Sequence, residues 1–249
     1  MKRAGAWLLM PLIVIGVWQL SMYAGLVSPA VLATPLETLR AVPRILSPSQ
    51  NLGDLWSTVI YSSLAFALSV PSGVVAGVAV FGVGKAGRPW EFLLDFLRSV
   101  PATALVPVFL IIFGINNNTK LMVGAFSSAL VVAMATMAGL TTRNRTRIGV
   151  AQLYGLSWRE QLFYVEVPEI LPHIFVGLKA GISLALILVV VTEMLIGGDR
   201  GLGRVISDMR YTDDKPRLYA AIALTGVIGY LYNLGIRSFE SRVVHWKGY

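Results

Sequence analysis

Long apolar runs separated by short polar connections dominate the chain, and their lengths predict a series of membrane-crossing helices. After Lys2 and Arg3 no charged residue occurs before Glu37. Trp7–Leu26 alone supplies about 20 residues, enough to cross a hydrocarbon core of about 30 Å at about 1.5 Å per residue. The next polar stretch, residues 27–54, mixes Pro29, Pro35, Pro43 and Pro48 with Glu37, Arg40, Arg44 and Asp54. It reads as an external connection, with a short amphipathic helix over Pro35–Ile45. Leu55–Gly84 is uncharged and long enough for a tilted second span, in which Gly73-x3-Gly77 offers a close helix contact. A third span, from about Phe92 to Phe113, contains Arg98, Pro101 and Pro107, so its backbone must be locally irregular and its freed carbonyls satisfied inside the protein. Asn116–Thr119 reads as a tight external turn, and Leu121–Thr142, His173–Gly197 and Leu218–Ile236 complete the series. The expected fold class is all-α: one polytopic domain over residues 1–249 with about six transmembrane helices.

Composition agrees with this pattern. The residues are 55% hydrophobic and only 14% charged, and the mean hydropathy is +0.69, values of a membrane protein more than a soluble one. Cysteine is absent, which excludes disulfides, thiolate metal sites and Cys nucleophiles. The net charge of +8 suits nucleic acid or anionic lipid in the abstract. In a polytopic protein, however, excess Lys and Arg marks the cytoplasmic side. With both termini inside, Lys2, Arg3, Lys85, Arg88, Arg237, Arg242, Lys247 and the cluster Arg143, Arg145, Arg147 and Arg159 fall in the cytoplasm. Lys120 and the basic loop after the fifth span fall outside. The inverse orientation would export the whole cluster. A signal peptide also begins with a basic pair, but its apolar region is shorter and no small-x-small cleavage site follows here.

Little in the sequence suggests catalysis. Gly82-Val-Gly84-Lys85-Ala-Gly87 matches a dinucleotide-binding glycine pattern only formally, since it ends an apolar span instead of linking a strand to a helix. No Gly-x4-Gly-Lys-Ser/Thr loop is present, and His173 and His245 have no carboxylate or thiol cluster near them in sequence. Neither a catalytic site nor a metal site is expected. Within the spans Arg98, Lys179 and Glu193 are candidates for function, because an ionisable group in a membrane is expensive. Lys179 and Glu193 lie about 21 Å apart along a helix and cannot pair within it. For Glu193 the simpler role is a hydrogen bond to a neighbouring helix, and for Arg98 it is snorkelling to the interface.

The most structured polar stretch is Thr146–Pro168. It reads as two short helices joined at Gly155, whose left-handed conformation ends the first, while Ser157-x-x-Glu160 forms a capping box for the second. Pro168 is expected to break the second helix and Pro172 to start the next. Arg143, Arg145 and Arg147 crowd the start of the first helix, where the macrodipole disfavours cations. Helix stability does not explain them; a cytoplasmic address or a partner surface does. The bland alternative is an interfacial helical loop between two spans.

The spacing Ala151-x3-Gly155-x9-Val165-x-Val167-Pro168 resembles the EAA loop of importer-type ABC transporter permeases: Glu-Ala-Ala, three residues, Gly, nine residues, Ile-x-Leu-Pro. The departure is at the front, where Gly149-Val150-Ala151 stands in place of Glu-Ala-Ala. Arg98-Ser-Val-Pro101-Ala-Thr-Ala104-Leu-Val-Pro107, Phe113-Gly-Ile115 with Thr119-Lys120, and Gly201-Leu-Gly203-Arg-Val-Ile206 resemble the nitrate, sulfonate and taurine branch of that family. The resemblance implies a type I importer permease fold. It implies a cytoplasmic coupling loop at about residues 143–172 that docks on a separate ATPase subunit, with Arg147, Ala151, Gly155, Ser157, Glu160, Val165 and Pro168 as its key positions.

The same resemblance implies a second permease copy as homodimer partner, an extracytoplasmic substrate-binding protein, and a bacterial inner-membrane location with both termini cytoplasmic. ATP and Mg would sit on the partner ATPase, leaving this chain without cofactor, metal or nucleic acid. The candidate translocation path comprises Arg98, Pro101, Pro107 and Glu193, and the implied cargo is nitrate, a sulfonate, taurine or a similar small anion. That branch also handles neutral or cationic vitamin precursors. From other classes, a channel or secondary transporter would need an intramembrane charge network or an inverted repeat, and a scaffold subunit would leave the shaped loop unexplained.

Overall fold

The computed structural model describes residues 2–28, 31–47, 51–197 and 200–246. Pro29, Pro48 and Lys247, named above, lie outside these, as do the side chains of Lys2, Arg3, Trp7, Lys85 and Arg145. Every regular element is a helix: α1 (Lys2–Tyr23), α2 (Pro35–Ile45), α3 (Leu52–Gly82), α4 (Arg88–Ser99), α5 (Val106–Phe113), α6 (Asn117–Thr141), α7 (Arg145–Leu153), α8 (Trp158–Gln161), α9 (Val167–Ile196), α10 (Leu202–Tyr211) and α11 (Lys215–Val243). Among the described residues four helical stretches are long and apolar enough to cross a membrane: α3, α6, the run Trp158–Ile196 that ends in α9, and α11. The pair α4–α5 makes a fifth when taken as one bent span, and Leu9–Tyr23 of α1 is a shorter apolar helix.

The core is α6 packed between α3, which runs parallel to it, and α9, which runs antiparallel. Lipid tails are as apolar as leucine, so helices in a bilayer associate through close packing and polar contacts, and small residues let backbones approach. Gly73 and Gly77 do this on α3: a β-carbon at either would lie 2.6 Å from the carbonyl oxygen of Ala129 or Ala133 on α6. On the other side of α6 a β-carbon at Gly177 of α9 would lie 2.5 Å from that of Ala135. Ser69 and Ser128 share a buried hydrogen bond of 2.9 Å across the α3–α6 seam.

The elements outside this core depart from the sequence pattern in informative ways. The expected third span is two helical pieces, Arg88–Ser99 and Ala102–Phe113, bent by 91° at Val100 and Pro101. The residue before a proline is pushed out of the α region; Val100 is accordingly extended (φ −70°, ψ 128°), and a short 3₁₀ turn over Ala102–Leu105 leads into α5. Asn116–Asn118 is less a turn than a helix start, with the Asn116 side chain accepting from the amides of Asn118 and Thr119. The amphipathic α2 has the expected bounds and carries a capping box between Thr34 and Glu37. It lays Ala41 and Ile45 into a cluster with Leu202, Val205, Ala220 and Ala221 of α10 and α11. Helix α1 ends at Tyr23 and is tied to the rest through Trp18, whose indole donates to the Ala33 carbonyl at 3.1 Å.

Gly73→Ala and Gly77→Ala should each lower the permease's stability in detergent by about 1–3 kcal/mol through overpacking. Gly226→Ala, whose β-carbon meets nothing within 4 Å, should not. Thermal unfolding of the three purified variants measures this.

Candidate functional site

Two constructions stand at opposite ends of the α6–α9 pair. At one end, the connection from α6 to α9 is a compact loop. Asn144 caps α7, its side chain accepting from the Thr146 amide. The chain reverses at Gly155, whose φ of +72° is a left-handed conformation costly for any residue with a β-carbon. Ser157 then starts α8: Glu160 accepts from the Ser157 amide at 2.8 Å, while the Ser157 hydroxyl accepts from the Glu160 amide. The break expected at Pro168 does not occur. Leu162–Glu166 forms a π-helical turn in which the Val167 amide donates to the Leu162 carbonyl, five residues back. The wider turn admits a proline at the first turn of α9, so the helix runs on and Pro172 lies inside it.

Two arginines of the basic entry find carboxylates toward the α9 side. Arg143 is ion-paired with Glu166, and Arg147 lies 3.5 Å from Glu169, so both arginines brace α7 against the start of α9. The two arginines, expected to mark an address or a partner surface, thus also hold the loop, and Arg147 keeps 67% of its side chain exposed. They are far apart in sequence from their carboxylates, which is why helix-local reasoning missed the pairs. Among the exposed residues of the loop are three large apolar ones: Leu153, Tyr154 and Trp158 are 88%, 81% and 72% exposed. Behind them a cavity of about 740 Å³ is lined by Val150, Ala151, Tyr154, Tyr164, Val165 and Pro168 among others. Exposed apolar residues concentrated on one polar loop mark an interaction surface. A β-carbon at Gly149, where the EAA pattern has glutamate, would meet nothing within 4 Å.

At the other end, Glu193 sits in a buried polar knot. The Lys120 ammonium is 3.1 Å from one carboxylate oxygen. The other oxygen accepts from the Thr58 hydroxyl at 2.8 Å and from the Gly203 amide at 3.1 Å. Both charged side chains are nearly inaccessible, 5% and 2% exposed. Asp54, also buried, accepts from the Gly201 amide at 2.8 Å and faces Arg204 at 3.5 Å, while the Thr58 oxygen accepts from the Leu202 amide. The Gly201-Leu-Gly203 segment is thus held by three successive backbone amides. Gly201 has φ +148°, and a β-carbon there would overlap the Glu193 carboxylate.

Lys120 is therefore no external loop marker. Nor are the three intramembrane charges isolated: Glu193 pairs with Lys120, Lys179 with Glu240 of α11, and Arg98 with Asp95 at 3.5 Å. The structure does not bring the four candidate path residues together. Arg98 borders a small cleft with Leu184 and Ser127, and Glu193 is nine positions, about 14 Å, further along α9. Asp54, Thr58 and Ser62 were not singled out by sequence reasoning, although their i, i+4, i+8 spacing is a polar stripe on an apolar helix and was a usable signal. All three are buried.

The arrangement, helices of membrane-crossing length with a capped loop between two of them, is that of a multi-pass membrane protein. Residues 69–245 match the model of the binding-protein-dependent transport system inner membrane component, and the chain belongs to that family. It is 28% identical over 243 residues to a putative aliphatic sulfonates transport permease protein of Bacillus subtilis, covering 96% of this chain and 87% of the relative. It is likewise 28% identical to a taurine transport system permease protein of Escherichia coli, covering 95% and 87%. Its fold is that of a chain of the MetNI methionine ABC transporter in an inward-facing structure, with a TM-score of 0.64 at 16% identity over 76% of this chain and 93% of that one. The protein is the permease component of an ABC importer, with the type I fold.

Removing one partner of a buried ion pair strands the other. Lys120→Met should therefore cost about 3–5 kcal/mol of stability, and Lys120→Met combined with Glu193→Gln should recover a large part of that. A double-mutant cycle by thermal unfolding in detergent checks it.

Proposed function

We propose that this chain forms a homodimeric path for a small organic sulfonate across the bacterial inner membrane, driven by a separate ATPase that binds the Arg143–Pro172 loop from the cytoplasm. The observation that carries the reading is the loop itself. Its backbone is fixed by Gly155, the Ser157–Glu160 box and two ion pairs to the α9 side, yet its outward residues Leu153, Tyr154 and Trp158 are apolar and exposed. A stiff lever with a sticky tip suits the transmission of a partner's motion into α9. Arg147, Ala151, Val165 and Pro168 shape the lever and its cavity more than its tip. ATP and Mg belong to the partner, and this chain works without cofactor or metal of its own.

For the path, the reading draws on Arg98 in the last turn of α4, the non-helical break at Val100–Pro101 that follows it, and Pro107 at the start of α5. At membrane depth such backbone is tolerated only where protein or a water-filled passage surrounds it. A cation there offsets the desolvation of a passing anion. Substrate class rests on the names of the two sulfonate and taurine relatives. In this orientation both termini and Arg159 lie inside, and Glu193 and the Gly201-Leu-Gly203 segment lie at the outer face, where a binding protein delivers cargo.

Reconstitution with the ATPase and binding protein tests this. Taurine or an alkanesulfonate should stimulate ATP hydrolysis several-fold. Stimulation by a neutral or cationic heterocycle instead would overturn the substrate, and failure of any ATPase to co-purify would overturn the importer mechanism.

Gly155→Val should leave the spans folded and uncouple hydrolysis from uptake, since the left-handed position penalises a β-carbon by about 1 kcal/mol or more. Uptake at the original rate would show the loop geometry to be dispensable. In this cysteine-free chain a single cysteine at Arg147 should be labelled only from the cytoplasmic side.

A further inference from the structure

The outer end of the bundle carries a cation that the polar knot positions but does not neutralise. Arg200 is anchored by its backbone, its carbonyl accepting from Lys120 at 3.1 Å and from Ser57 at 3.3 Å. Its side chain lies across α3 at Gly53, where a β-carbon would come within 3.2 Å of the guanidinium, so glycine makes the groove that the arginine occupies. The neighbouring cations are paired, Lys120 with Glu193 and Arg204 with Asp54 and Asp208. The Arg200 guanidinium has no carboxylate within ion-pair distance among the described residues.

Two cavities meet at this side chain. One, of about 400 Å³, is bounded by Arg200 and Asn117 on its polar side and by Trp56, Ile60 and Tyr61 on its apolar side. The other, of about 200 Å³, reaches from Arg200 and Asn117 inward to Lys120 and Glu193. Lys120 also lies 4.3 Å from the centre of the Tyr61 ring, which fixes that ring as a wall of the first cavity. An unpaired planar guanidinium offers a fork of donors to a tetrahedral or planar oxyanion, and the adjoining aromatic and aliphatic wall suits a short carbon chain. A fully inorganic anion would use the first feature and waste the second.

We infer that Arg200 and Asn117, with Trp56 and Ile60, form an outer vestibule that receives an organosulfonate head-first, the sulfonate on the guanidinium and the carbon chain against the indole. The vestibule rests on the sulfonate reading of the importer given above. It is distinct from Arg98, which lies deeper, and it identifies the polar knot as a positioning device: Lys120 holds the Arg200 backbone while remaining neutralised by Glu193.

The test is calorimetric titration of the full-length permease with its ATPase in lipid nanodiscs, using 1-butanesulfonate as probe and 1-butanol and butyltrimethylammonium as controls. Saturable binding is expected for the sulfonate alone. Arg200→Gln should weaken it roughly tenfold or more, as expected for loss of a charge-assisted contact. Trp56→Ala should weaken binding of butanesulfonate more than that of methanesulfonate. Arg210→Gln, which removes an exposed arginine at the same end of the molecule, should leave it unchanged. Equal affinity in Arg200→Gln and wild type, comparable binding of butanol, or an Arg200→Gln defect confined to association of the binding protein would each overturn the vestibule. ATPase co-purification with wild type and Arg200→Gln is scored separately, so loss of the vestibule and loss of the importer mechanism give different results.

Discussion

The Lys120–Glu193 pair joins two core helices at the ends far from the α6–α9 loop, and much of the structure at that end hangs on it. A charge in a low-dielectric interior is tolerated only when its partner and its remaining hydrogen-bond sites are all supplied. Here they are: Glu193 has Lys120, Thr58 and the Gly203 amide, and Lys120 has Glu193, Ser57 and the Arg200 carbonyl. The requirement for full satisfaction explains features that otherwise look unrelated. Gly201 and Gly203 lack side chains because the carboxylate and the α9 backbone occupy that space. The start of α3 is polar because Asp54 and Thr58 must meet the amides that α10 leaves free at its beginning.

Between this knot and the α6–α9 loop, α9 is the continuous element. It begins beside the Arg143–Glu166 and Arg147–Glu169 braces, is tied to α11 through Lys179 and Glu240, and carries Glu193 in its last turn. Its packing on α6 through small residues leaves no soft side-chain layer between the two helices. The departure from α-helical geometry at its entrance is the π turn of Leu162–Glu166. The bend between α4 and α5 has the opposite character, since prolines there remove the means of continuing a straight helix.

Much of this was legible in the sequence. Apolar run lengths determined the all-α, polytopic class, because a bilayer demands about 20 apolar residues per helical crossing. Local hydrogen-bonding chemistry determined the bounds of α2, the left-handed turn at Gly155 and the Ser157–Glu160 box, since each depends only on residues a few positions apart. The Gly73–Gly77 contact was visible for the same reason, although its partner helix was not. Only the tertiary structure decided where the charges go. Lys120 meets Glu193, Arg143 meets Glu166 and Lys179 meets Glu240 across separations that no periodicity encodes. The direction of the α4–α5 bend and the survival of the helix through Pro168 were also decided there: proline reports that a regular hydrogen bond is lost, while packing and a shifted register determine whether the chain turns or continues.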